Sequence, residues 1–147
     1  MNVPVTEQIP PYISIHIRHG DFGQQCEEFP VDQCFAPLSV IARRVFERRT
    51  RKGINAMHVI MTSDERDPEW WSEIRALGWN MGRLCSGTDR GDLWKMCSSM
   101  PIIQSNGAGF FGTRGSTMPT LASRRVQLWH DGATRLIRWG WPGTDDH

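Results

Sequence analysis

Residues 12–18, Tyr-Ile-Ser-Ile-His-Ile-Arg, alternate apolar and polar positions, with β-branched side chains recurring every second residue. That period places one parity against a core and predicts a strand. Residues 19–34 break the alternation with Gly, Gln, Glu and Pro and read as a loop. Leu38, Ile41, Ala42, Val45 and Phe46 then recur at helical spacing, and Gly53 closes that helix. His58-Val59-Ile60-Met61 is a short apolar strand ended by Thr62-Ser63-Asp64. Pro68 stands where a helix begins, and Trp71, Ile74, Arg75 and Leu77 carry it to Gly78. A weak strand is expected near residues 81–84. The stretch Leu93–Gln104 contains a helix that Pro101 interrupts or ends. Phe110-Phe111 forms the next strand, and Thr117–Trp129 the last long helix.

Strands separated by helices predict an α/β domain: three layers, Rossmann-like, around a mostly parallel sheet of four or five strands. The expected organisation is a leader at residues 1–11, one domain at 12–142 and a tail at 143–147. A chain of 147 residues is long enough for a real core, and 39% hydrophobic with 22% charged residues is a globular composition. The net charge of +1 argues against nucleic-acid or membrane-surface binding, which call for a basic surplus. No apolar run approaches the roughly 20 residues of a membrane span, and residues 1–11 lack the pattern of a signal peptide. Of the four cysteines, Cys26 and Cys34 flank one loop; a disulfide and a pair of free thiols both fit, depending on compartment. Cys85 and Cys97 are scattered, and no C-x-x-C suggests zinc. The tryptophans Trp70, Trp71, Trp139 and Trp141 are expected on the core or on a surface that another segment covers. The arginine runs at 43–52 and at Arg124-Arg125 read as solvated helix faces, and Asp145-Asp146-His147 as a disordered end.

Ligands of parallel α/β sheets gather at the carboxyl ends of strands. Three stretches therefore become candidates: His16, Arg18, His19, Gly20 and Asp21; Thr62, Ser63 and Asp64; and Gly112 to Thr117. The third has the parts of an anion site: glycines for close approach, two hydroxyls and a helix N-terminus. Ser116 and Thr117 would also serve as a plain helix cap. With Arg18 supplying a forked cation on the same edge, the anion site is the stronger reading.

The motif His16-x-Arg18-x-Gly20-Asp21-Phe22 resembles the first motif of the GDP-fucose-dependent fucosyltransferases, closest to the protein O-fucosyltransferase group. Gly109-Phe110-Phe111-Gly112-Thr113 followed by Ser116-Thr117 is similar to that group's late G-F-x-G-T-x-x-S-T signature. Thr62-Ser63-Asp64-Glu65 stands where these proteins carry a T-D or T-S-D element. The three motifs keep the family's order across residues 10–130. The resemblance implies the C-terminal, nucleotide-sugar-binding half of a GT-B glycosyltransferase, performing inverting, metal-independent O-fucosyl transfer from GDP-fucose, with no cofactor. Arg18 would contact the diphosphate and assist departure of GDP; His16, Gly20, Asp21, Asp64, Gly112, Ser116, Thr117 and Met118 would complete the nucleotide-sugar site. A protein or glycan would be the acceptor. An N-terminal half is the missing partner, so transfer by this half alone is expected to be weak or absent. Family members usually work in the secretory pathway.

The sequence departs from the family in two places. Met100 occupies the usual position of an acidic residue that reads the guanine edge, and Pro119 replaces a second serine. Two other readings stand beside this one. Arg18-His19-Gly20 is also the phosphate-loop triplet of histidine phosphatases, with His130-Asp131 resembling their later H-D pair, although the triplet explains neither His16 and Asp21 nor the 109–117 signature. The other is a non-catalytic nucleotide-sugar-binding or interaction module.

Overall fold

The computed structural model of the chain describes residues 10–26, 28–56, 58–83 and 100–145. Five strands form one sheet: β1 (Tyr12–Ile17), β2 (His58–Ser63), β3 (Asn80–Arg83), β4 (Gly109–Thr113) and β5 (Ala133–Ile137). Their order is β3-β2-β1-β4-β5 and every pairing is parallel. Parallel neighbours need crossovers. α1 (Val31–Cys34) and α2 (Leu38–Arg51) join β1 to β2, α3 (Pro68–Ala76) joins β2 to β3, and α5 (Thr117–His130) joins β4 to β5. Residues 100–105 are helical (α4) and lead into β4. The chain thus builds outwards from β1 in one direction, then returns to its other side.

Register explains the layers. Ile13 pairs with Val59 and Ile15 with both Met61 and Phe111, so these side chains share a face. They pack with Leu38, Val40, Ile41 and Val45 of α2 and with Trp71 and Ile74 of α3. Side chains of opposite parity meet the other layer: Phe110 packs on Ala122 and Val126 of α5. The Tyr12 hydroxyl donates to the Ile103 carbonyl (2.7 Å) and that of Ser14 to the Gln104 carbonyl (3.1 Å), seating α4. Each fully buried apolar side chain contributes about 1.5–3 kcal/mol. Because β1 is central, all six of its residues are buried, which obliges its polar members to find partners.

The three-layer α/β expectation holds, with five strands. α3 begins as its sequence predicts: the Asp67 carboxylate accepts from the Glu69 amide (3.0 Å) and Pro68 occupies the first turn. Four details differ from the sequence reading. β5 was not anticipated. Pro101 does not end its helix, which continues to residue 105. The 19–34 segment holds a 3₁₀ turn (Asp21–Gln25) and α1, and a Cys26–Cys34 disulfide closes it with Cα atoms 6.0 Å apart. Asp145 is no disordered end: it is buried, its carboxylate pairs with Arg135, and its carbonyl accepts from Arg44 (3.0 and 2.8 Å). Arg44 consequently belongs to a contact between α2 and the C-terminal segment rather than to a solvated face.

Trp71 is buried in the core, while Trp139 lies partly buried against Phe22 and Phe35. Residues 1–9 of the expected leader, residue 84, the 93–99 part of the expected helix, Cys85, Cys97, Asp146 and His147 lie outside the described residues. Among the described residues no helix is long and apolar enough to cross a membrane.

Candidate functional site

The strand order reverses between β1 and β4, and their carboxyl ends flank the resulting crevice. Main-chain pairing stops at Ile17↔Ser63 on one side and His16↔Gly112 on the other. Beyond it, side chains continue the ladder. The Arg18 amide donates to Thr113 Oγ1 (2.8 Å), and the next amide, that of His19, donates to Asp64 Oδ1 (2.8 Å). Successive strand amides point to opposite sides, so β4 holds one and the loop after β2 holds the other.

Arg18 is only partly engaged. Its Nε donates to Asp21 Oδ1 (2.9 Å) and lies 3.3 Å from Asp64 Oδ2. Its two terminal nitrogens have no partner among the described residues. That is the edge of a guanidinium that grips two oxygens of a carboxylate or phosphate at once. The Asp21 hydrogen bond raises the already high Arg18 pKa, and Arg18 in turn holds the Asp21 carboxyl below its usual range. Gly20 is required by proximity: a Cβ there would sit 2.3 Å from Asp64 Oδ2.

The opposite wall of the crevice is the start of α5. Gly112 lets the helix approach, since a Cβ on it would lie 2.5 Å from Pro119 Cβ and 2.8 Å from the Phe110 ring. Pro119 sits in the first helical turn, where its missing N–H removes no helical bond. Ser116 occupies the N-cap position in an extended conformation, yet its hydroxyl makes no bond to the helix. Thr117 and Met118 are exposed, and first-turn amides have no partner within a helix. The helix therefore presents its positive end without using its own cap.

His16 lies beneath this edge, 2% exposed, with Nδ1 2.9 Å from Thr62 Oγ1. Thr62 also reaches the Ile15 carbonyl (2.8 Å) and takes the Gln104 side-chain amide (3.2 Å). Burial pushes the His16 pKa down to about 4, with a smaller upward pull from Asp64, so the ring is neutral near pH 7 and adds no positive charge. His19 points to the other side of the sheet: its Nδ1 is 2.7 Å from Glu65 Oε2, and its ring rests on Phe35 and Trp70. Burial alone would raise the Glu65 pKa. The Asp67 amide, His19 and the Arg66 amide outweigh it and hold the carboxyl below its usual range.

The sequence-predicted residues Arg18, Gly20, Asp21 and Asp64 thus meet in one cluster, while Gly112, Ser116, Thr117 and Met118 form the adjoining wall on the same edge. His16 is brought below the surface. Glu65 is absent from the predicted site, and Thr113 falls in the candidate stretch 112–117 without a role of its own; nothing in their spacing shows what their side chains hold. Met100 is 2% exposed and packed inside the domain, so the position does not face a ligand. His130 ends α5 and, with Asp131, Lys52 and Pro11, lines a cleft at the amino edge of the sheet. Arg18 and His130 sit at opposite edges, and His19 is committed to Glu65. One phosphohydrolase centre cannot contain all three.

No family model and no curated protein matches the chain in sequence. Solved structures do match. Two crystal structures of POFUT1 in complex with GDP are similar, with TM-scores of 0.53 and 0.52 at 16% and 18% identity, covering 90% and 91% of this chain. A further crystal structure, POFUT1 in complex with GDP-fucose, gives a TM-score of 0.49 at 16% identity. The chain shares the fold of the part of POFUT1 that it covers. At this identity the likeness is one of fold, and it covers 44% and 43% of the two GDP-bound POFUT1 chains, less than half their length.

Proposed function

We propose that this domain binds a nucleotide sugar of the GDP-fucose type, and that it serves as the donor half of an O-fucosyltransferase. The observation that carries the reading is the carboxyl edge at the β1/β4 switch, which holds a guanidinium whose terminal nitrogens have no hydrogen-bond partner among the described residues and an α5 N-terminus whose cap side chain makes no bond to the helix. A diphosphate matches both, because its oxygens accept bidentate N–H donation and favour the positive end of a helix. Support for the particular ligand comes from the fold shared with part of POFUT1, two of whose structures hold GDP, and from the three motifs in family order.

In this reading Arg18, Ser116 and the Thr117 and Met118 amides take the phosphates. When an acceptor hydroxyl attacks the anomeric carbon from the far side, its proton passes to a base of the second half, the sugar–phosphate bond breaks and GDP leaves with the bonding electrons. Arg18 and the helix end neutralise that growing charge, and no metal is called for. His16 is neutral and sits below the edge, so its part is to support the floor of the crevice. The acceptor, a protein or glycan, and much of the closed cleft belong to a second half, which the chain's short coverage of POFUT1 leaves room for. The Cys26–Cys34 disulfide supports an oxidising, secretory compartment.

Isothermal titration of the 147-residue chain with GDP, GDP-fucose and inorganic phosphate tests the proposal. Binding of GDP-fucose and GDP in preference to phosphate is the expected result. Silence towards all three would leave a non-catalytic module, and phosphate alone would reinstate a phosphohydrolase.

A further inference from the structure

We propose that Asp64 is a positioning residue. It touches no ligand itself and sets the guanidinium of Arg18, with Thr113 bracing the same backbone from the opposite strand. The functional consequence rests on the nucleotide-binding reading above; the geometry does not.

Past Ile17 no strand holds the chain, and two consecutive amides are taken by side chains from opposite sides, Thr113 and Asp64. Asp64 does more than continue the ladder. Oδ1 accepts the His19 amide, and Oδ2 lies 3.3 Å from Arg18 Nε. One rigid carboxylate therefore ties the direction of the backbone to the direction of the side chain one residue earlier. Asp21 takes the Nε hydrogen bond, but its side chain is 58% exposed against 17% for Asp64, so the charge of Asp64 is the less screened of the two anchors. Both contacts fall on Nε. Among the described residues the terminal fork stays free, which is the arrangement a phosphate needs.

A direct role for Asp64 at a diphosphate conflicts with its chemistry. It brings negative charge to a negative ligand, and it is already engaged, Oδ1 by the His19 amide and Oδ2 by the charge of Arg18 3.3 Å away. The two roles predict opposite signs. A carboxylate that merely neighbours the phosphates weakens binding, so its neutralisation would tighten GDP. A positioning carboxylate strengthens binding, so its neutralisation loosens GDP. Gly20 belongs to the same device, since any side chain there meets Asp64 Oδ2 and displaces it.

The experiment pairs the Arg18 Nε–H resonance of the ligand-free protein, followed by ¹H–¹⁵N NMR, with GDP titration. Asp64→Asn keeps an acceptor for the His19 amide and removes the charge from Nε. The expected result is an upfield move and faster water exchange of the Arg18 Nε–H, with GDP affinity falling on the order of tenfold, the scale of effect when a supporting contact of a preorganised site is loosened. Gly20→Ala should shift the same resonance in the same sense, and should add little on an Asp64→Ala background, because the two changes act through one contact. An unchanged Nε–H in Asp64→Asn, or tighter GDP binding, overturns the proposal. Should Asp64→Asn fail to fold, Gly20→Ala and Asp64→Ser carry the same test. If the unaltered chain does not bind GDP at all, the nucleotide reading fails, while the ligand-free resonance still decides whether Asp64 positions Arg18.

Discussion

Arg18 and Arg135 both leave a strand of the same sheet and both meet an aspartate, but the two pairs are completed differently. Arg135 on β5 presents Nε and Nη2 to the two oxygens of Asp145 (3.0 and 2.8 Å), and that carboxylate is only 4% exposed. The Asp145 carbonyl takes Arg44 as well, so the group ties β5, α2 and the C-terminal segment together. Asp145 accordingly raises the Arg135 pKa further, chiefly through that hydrogen bond. Arg18 is held by Nε alone, at the rim of a crevice, between one exposed and one half-buried carboxylate. A guanidinium whose bidentate edge is filled from within the chain serves the fold. One held at Nε alone, with both terminal nitrogens open among the described residues, is set for something outside the chain.

That contrast can be broken by experiment. The largest effect is expected at Asp145. Asp145→Ala leaves a half-buried Arg135 without its partner and should cost about 3 kcal/mol of stability in urea unfolding, the low end for breaking a buried pair. GDP affinity of the folded fraction should be unchanged; a parallel loss of affinity would mean that the two arginines are not separate in role.

His16 supplies a pH test of the floor beneath Arg18. Its pKa is lowered from an ordinary 6.5 to about 4, so between those values the unfolded chain binds a proton that the folded chain refuses. Stability should then fall as pH drops from about 6.5 towards 4, by up to roughly 3 kcal/mol, and His16→Asn should flatten that window. A wild-type curve flat down to pH 4.5, below which carboxylates titrate, would show that His16 is not shielded as its burial implies.

The smallest change in stability, and the sharpest contrast with Asp145, belongs to Arg18→Lys. The pair with Asp21 is exposed, and such pairs contribute less than about 1 kcal/mol, so thermal unfolding should barely move. GDP binding should weaken by roughly 1.5–3 kcal/mol, because an ammonium keeps the charge but loses the paired fork. Equal affinity in the lysine variant, measured by titration calorimetry, would remove Arg18 from the site.

Much of the architecture was legible in the chain. The alternation at 12–18, the apolar run at 58–61 and the pair Phe110-Phe111 identified β1, β2 and β4, because strands covered on one or both faces carry their burial in their own residues. β5 escaped notice since Thr134, Arg135 and Leu136 are only partly buried and dilute the apolar signal. The helical residues 100–105 run past Pro101, so a proline there does not mark a helix end.

The candidate site divides along the same line. The residue types that could meet an anion at a sheet edge, Arg18 together with the small and hydroxyl-bearing turn at 112–117, were set by the sequence, since those chemistries do not depend on neighbours far along the chain. Which groups remain free was decided only by tertiary structure. Asp64 reaches Arg18 across 46 positions of chain because β1 and β2 lie side by side in parallel register. Thr113 reaches the Arg18 amide across 95 because β4 returns to the other flank of β1. The same folding turns His130 to the far edge, buries Met100 and joins Cys26 to Cys34. Except for the local closure of Cys26 on Cys34, each of these outcomes depends on strand order and register, which a linear pattern of residue types does not contain.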